Sequence, residues 1–231
     1  MRRTGSLLPA LSTALLSLGA VVLAVVPAAA DSSESSGRIS VVWVGNDISY
    51  PQCTTSGWNG EEYTSLGGTQ VPRNARFGVV GVNGGTAAKA NPCLPAQMRW
   101  ANGLPGLTNQ PRLQFYVNTA NPGAVLTEYD VVTWPSGTSP VNPYNDVPGV
   151  PQRCTDEEGA GINDLACSWE YGRGRAEWAA ALVDDAGDIA GVGTDVGDTM
   201  VWLDVETGNT WQSGVEGQAR NAATLEGMTA Y

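Results

Sequence analysis

Short continuous apolar runs alternate along this chain with longer stretches whose apolar residues recur at helical spacing. The first run, Ile39-Ser40-Val41-Val42-Trp43-Val44, is β-branched and nearly unbroken, the pattern of a strand buried on both faces. Three more follow: Phe77 to Asn83 before Gly84-Gly85, Leu113 to Asn118 before Asn121-Pro122-Gly123, and Met200 to Glu206 before Thr207-Gly208. Between them, Leu94 to Ala101, Trp169 to Ala186 and Gly214 to the C-terminus read as helices. In the second of these, Trp178, Leu182, Ala186 and Ile189 fall at spacings of four, four and three, which predicts one apolar helix face. Strands alternating with helices predict an α/β fold with a parallel sheet of right-handed βαβ units.

Two regions break the alternation. Residues 1–30 carry Arg2 and Arg3, an apolar run from Leu7 to Val26 and the exit Ala28-Ala29-Ala30, the pattern of a secretory signal cleaved before Asp31. A polar leader covers 31–38 and the main domain 39–231. Within it, an insertion at about 122–167, rich in Pro, Gly and Asn from Pro122 to Asp164, shows neither period and reads as a long loop. After signal removal no segment is apolar enough to span a bilayer, so a secreted protein with no membrane partner is expected.

Charge narrows the partners. Without Arg2 and Arg3, ten basic residues face 23 acidic ones, a net charge of −13 that opposes binding of nucleic acid or anionic lipid. An acidic surface suits a neutral polymer or the cationic parts of a cell wall. The chain has no His, which removes Ser-His-Asp and Cys-His nucleophile systems and the two-His zinc helix. Acid–base chemistry must therefore use carboxylates, and neither a metal site nor a cofactor is called for. Four cysteines in an exported chain point to two disulfides. The pairing preferred here joins Cys53 to Cys93 and Cys154 to Cys167, each fastening a loop beside a strand end; sequence alone allows three pairings.

Candidate chemistry gathers at the C-terminal ends of the strands: Asp47, Asn83, Asn118, then Asp204 with Glu206. Loops at that edge of a parallel sheet converge on one crevice, so these groups are expected to line a single pocket. Strands also commonly finish in turn-forming Asn and Asp, the competing explanation for Asn83 and Asn118. Tyr50 and Trp211, in loops, are candidate faces for stacking a sugar. Trp43 and Tyr116 lie inside strands and read as core, and Trp202 as packing against a helix layer.

The motif Asp47-Ile48-Ser49-Tyr50-Pro51-Gln52 resembles the first-strand signature Asp-x-Ser-x-x-Gln of family 25 glycoside hydrolases, secreted muramidases that cut peptidoglycan. Leu203-Asp204-Val205-Glu206 resembles that family's Asp-x-Glu on the fourth barrel strand. A second Asp-x-Glu, Asp156 to Glu158, lies in a loop between cysteines. Chitinase-like hydrolases also end a strand in Asp-x-Glu but carry another Asp two residues earlier, where this chain has Trp202.

The resemblance implies a (β/α)8 TIM-barrel-like fold, of which roughly the first four βα units are present, and carboxylate acid/base catalysis on cell-wall glycan. It implies Glu206 as general acid, held protonated by an apolar strand setting and by repulsion from Asp204. Asp204 would stay ionised and stabilise positive charge at the sugar, with Asp47 positioning substrate or tuning Glu206. Asn83, Asn118, Tyr50 and Trp211 would bind the glycan. Four units leave a barrel open, so the sequence reads as C-terminally truncated; completion by a second copy is the alternative. The functional alternative is a non-catalytic cell-wall or carbohydrate-binding module on the same scaffold.

Overall fold

A computed structural model describes residues 44–53, 74–121, 134–135, 137–145, 147, 154 and 164–231. The signal segment, the leader, Trp43, the start of the first apolar run and much of the insertion lie outside the described residues. Four strands, β1 Val44–Ile48, β2 Ala75–Gly81, β3 Leu113–Asn118 and β4 Val201–Asp204, form one sheet in chain order with every neighbouring pair parallel. Helix α1, Leu94–Asn102, connects β2 to β3; α2, Leu165–Ala190, leads into β4; α3, Gly214–Thr229, follows it. The α/β class and parallel sheet expected from the alternation are therefore present.

Period-two alternation explains the core. Ile48, Val80, Val82, Phe115 and Val117 leave the sheet on one face and pack against Leu94, Met98 and Ala101 of α1, Ala179, Val183 and Ala186 of α2, and Met228 of α3. Full burial of such a side chain contributes about 1.5–3 kcal/mol. Along α2 the buried face is offset from the predicted one: Ala179, Val183 and Ala186 are inside, whereas Ile189 is 49% exposed. Ala186 belongs to both sets. The larger Trp178 and Leu182 flank the buried stripe because small alanines let the helix lie close to the sheet.

α2 begins four residues before the expected start, since Asp164 caps it by accepting from the amides of Ala166 and Cys167 at 2.8 and 3.1 Å. It ends at Gly191, whose φ of 64° is the left-handed conformation that closes a helix. α2 and α3 touch backbone to backbone: a Cβ on Gly172 would strike the carbonyl of Thr224, and one on Gly227 the carbonyl of Trp169. Thr224 Oγ1 donates to the Ser168 carbonyl at 3.0 Å within this contact.

Both disulfides form as the preferred pairing has them. Cys53–Cys93 joins the turn after β1 to the start of α1, and Cys154–Cys167 ties the insertion to the first turn of α2. Their presence fits an oxidising, extracellular type of compartment. Among the described residues no helix is long and apolar enough to cross a membrane.

Candidate carboxylate site at the sheet edge

The face of the sheet opposite the helices carries the polar residues. β1 and the residue following it place Asp47 and Ser49 there, β2 places Val79 and Gly81, β3 places Gln114, Tyr116 and Asn118, and β4 places Trp202 and Asp204. Register sets Tyr116 between Gly81 and Trp202, and Asn118 beside Asp204. Tyr116, expected as core, is instead the centre of the site. Its hydroxyl hydrogen-bonds the Ser49 side chain, and the charges of Asp47, Asp204 and Glu206 all act on it; burial raises its pKa most, the Ser49 bond opposes that rise, and those charges add to it. Asp47, Asp204 and Glu206 are thus all near enough to act on one phenol.

Glycine makes that neighbourhood possible. A Cβ on Gly81 would lie 2.7 Å from both Ser49 Cβ and Tyr116 Cζ, so only a bare α-carbon lets the hydroxyl and the phenol meet over β2. The turn after β1 is held by its own motif: Ser49 N donates to Gln52 Oε1 at 2.9 Å, and Pro51 lies in the single 3-10 turn Tyr50–Gln52. Below it, Gln97 Nε2 donates to the Ser49 carbonyl at 2.7 Å, and Asn91 Nδ2 donates to Gln97 Oε1 at 2.8 Å and to the Gly81 carbonyl at 2.7 Å. These buried amides position the residue that contacts Tyr116.

Asp204 ends β4, and its carbonyl accepts from Thr119 N at 3.0 Å and Thr119 Oγ1 at 2.7 Å. Its carboxyl is pushed above the ordinary range by burial first, then by Glu206 and Asp47. Glu206 differs from the expectation of an apolar strand setting: it lies two residues past the strand end and is exposed. The Glu206 backbone is fixed by Trp211 Nε1, which donates to its carbonyl at 3.0 Å, and by Asn209 N at 3.1 Å.

The two strand-end asparagines expected to bind ligand are engaged with the protein. Asn83 is buried and exchanges two hydrogen bonds with the Asn118 backbone, while Asn118 Oδ1 accepts from Asn209 Nδ2 at 2.9 Å. They hold strand ends and the post-β4 loop together, the turn-forming role that competed with ligand binding. Tyr50, the first residue of the turn after β1, is 55% exposed.

Trp202 overturns its helix-layer expectation. Val201 and Leu203 line the apolar cleft against α2 and α3, so period two sends Trp202 to the other face, where its Nε1 donates to Gln114 Oε1 at 3.0 Å and its ring is 52% exposed. The signal was present in the sequence, since Trp202 stands two residues before Asp204, just as Tyr116 stands two before Asn118 and Ser49 two after Asp47. Cys154, Asp164 and Cys167 approach one another closely, but the two sulfurs are bonded to each other, which leaves no thiolate to hold a metal. No family model, curated protein or solved structure matches this chain.

Proposed function

We infer that this chain is a secreted glycoside hydrolase-like protein whose sheet corresponds to the first four units of a (β/α)8 barrel, acting on peptidoglycan or a related cell-wall glycan. The observation that carries this reading is the convergence of Asp47, Asp204 and Glu206 around the Tyr116 hydroxyl at the C-terminal edge of a parallel sheet. Parallel strands in chain order support the architecture, since barrel strands follow one another in that way. Half-exposed Trp202, on the same face, offers an apolar ring for stacking a sugar.

Glycosidic cleavage needs one carboxyl that holds a proton and another that stays ionised near the developing positive charge. The family resemblance gives the proton to Glu206. The electrostatics of this site favour Asp204, whose partly buried carboxyl is flanked by two other acids. In this reading Asp204 protonates the leaving oxygen, exposed Glu206 stabilises charge at the sugar, and Tyr116 and Ser49 orient the pair with Asp47.

The test is release of reducing ends from purified peptidoglycan by the native chain, Asp204→Asn and Glu206→Gln. The reading expects release by the native chain and a loss of about a hundredfold or more in each variant. Full release by both variants would overturn it. Retention on insoluble peptidoglycan with no release, unchanged in both variants, would establish the binding-module alternative instead.

A further inference from the structure

A second feature lies along the N-terminal half of α2, away from the carboxylates. Trp134, Pro135 and Gly137 of the insertion form a groove of about 450 Å³ with Tyr171, Arg175 and Trp178 of the helix. The Trp134 and Tyr171 rings stack with centroids 5.0 Å apart, and the Arg175 guanidinium lies 3.9 Å from the Trp178 ring centroid. Aromatic surfaces thus build both a wall and a rest for the cation.

Five polar atoms on residues of this groove lack a hydrogen-bond partner. Arg175 Nε and Nη2, Arg173 Nε, Trp134 Nε1 and the Tyr171 hydroxyl are all buried with no hydrogen-bond partner. Tyr171 is 3% exposed. Buried donors are satisfied in nearly every folded protein, so five such atoms on the residues that build one groove are an exception that an incoming acceptor would resolve. Among the described residues, the acids nearby do not supply it. Glu170 accepts from the Ser139 hydroxyl at 2.8 Å and from Asn142 Nδ2 at 3.1 Å, and Glu177 is exposed at the rim.

Geometry selects the acceptor. Nε and Nη2 of one guanidinium point the same way as a planar two-pronged fork, which matches the two oxygens of a carboxylate. The stacked rings beside the fork favour a ligand that brings a flat or ring-shaped body with its acid. We propose that this groove is a binding site for a carboxylate borne on a ring, of the sugar-acid type, with Arg175 gripping the carboxylate and Tyr171 and Trp134 donating to the same ligand. Burial raises the Tyr171 phenol to about 12, which keeps it a neutral donor at physiological pH. The Arg175 guanidinium pays a desolvation cost that an incoming anion offsets. The site is independent of the carboxylate cluster and does not require that the chain be a hydrolase.

The experiment is titration of the full chain with glucuronate, glucose and inorganic phosphate, read by tryptophan fluorescence and calorimetry. Glucuronate is expected to bind, with glucose at least about tenfold weaker. Arg175→Gln should weaken glucuronate by about tenfold or more, and Arg175→Lys, which keeps the charge and loses the fork, should also weaken it; circular dichroism verifies the fold of each. Tyr171→Phe should weaken it by a smaller factor. No glucuronate binding, equal binding of glucose, tighter binding of phosphate, or unchanged affinity in folded Arg175 variants would each overturn the proposal.

Discussion

Asn83 and Asn118 hold each other across the ends of β2 and β3: Asn83 Nδ2 donates to the Asn118 carbonyl at 2.8 Å, and Asn118 N donates to Asn83 Oδ1 at 2.8 Å. The side chain of Asn83 thus continues the ladder beyond the last regular pairing, Gly81 with Tyr116. Asn83→Ala removes a donor and an acceptor from a buried place and leaves two backbone groups without partners. A loss of about 2–4 kcal/mol is expected, read from the urea midpoint. A loss below about 0.5 kcal/mol would mean that these bonds do not hold the edge.

The contact between Ser49 and Tyr116 depends on Gly81. Gly81→Ala puts a methyl where both side chains already sit, and overpacking of this kind costs about 1–3 kcal/mol. Pushing the phenol outward also relieves its burial, so Tyr116 should titrate closer to the ordinary tyrosine value than in the native chain. Ultraviolet titration with Tyr116→Phe as the assigning control measures this, and an unmoved titration would show that the ring keeps its place.

Two glycines of α2 are predicted to respond in opposite directions. Gly172 lies against the Thr224 backbone of α3, and a rigid main chain cannot move aside, so Gly172→Ala is expected to cost at least about 2 kcal/mol. At Gly174 nothing lies within 4 Å of an added Cβ, and Gly174→Ala should stabilise the helix by about 0.5–1 kcal/mol. Thermal unfolding of the pair checks both signs; equal effects would show that α2 and α3 do not pack through Gly172.

Asp204 has a folded-state pKa raised above its unfolded value, by burial and then by Glu206 and Asp47. Its contribution to stability is therefore fully present below the unfolded carboxylate value of about 3.9 and is lost as pH rises through the higher folded value. Asp204→Asn cannot ionise and escapes that loss. The variant should gain stability relative to the native chain between pH 3 and pH 7, measured by urea unfolding at both. An equal difference at the two pH values would show that Asp204 is not strained by its neighbours.

Much of the fold was legible in local pattern. β3 has the limits that its apolar run predicts, and the helices at Leu94 and Gly214 begin where Pro92 and the turn residues place them. The strand-end clustering of Asp47, Asp204 and Glu206 was legible too, because parallel strands bring their C-terminal ends to one edge. What was misjudged were residues for which a rule about residue type overrode the alternation. Tyr116 and Trp202 were assigned to packing because aromatic residues in strands usually pack, yet each stands two residues from a polar strand end and shares its face.

The sequence by itself determined the α/β alternation, the parallel sheet, the lack of His and with it the exclusion of His-based acid–base chemistry, and the restriction of four cysteines to a few pairings. Those depend on composition and on neighbours within a few residues. Tertiary structure alone decided that the Asn83 side chain bonds the Asn118 backbone, that Gly81 opens the space for Ser49 and Tyr116, and that Trp134 of the insertion stacks on Tyr171 of α2. Each of these joins groups from segments far apart in the chain, and no local period encodes the distance at which such segments meet.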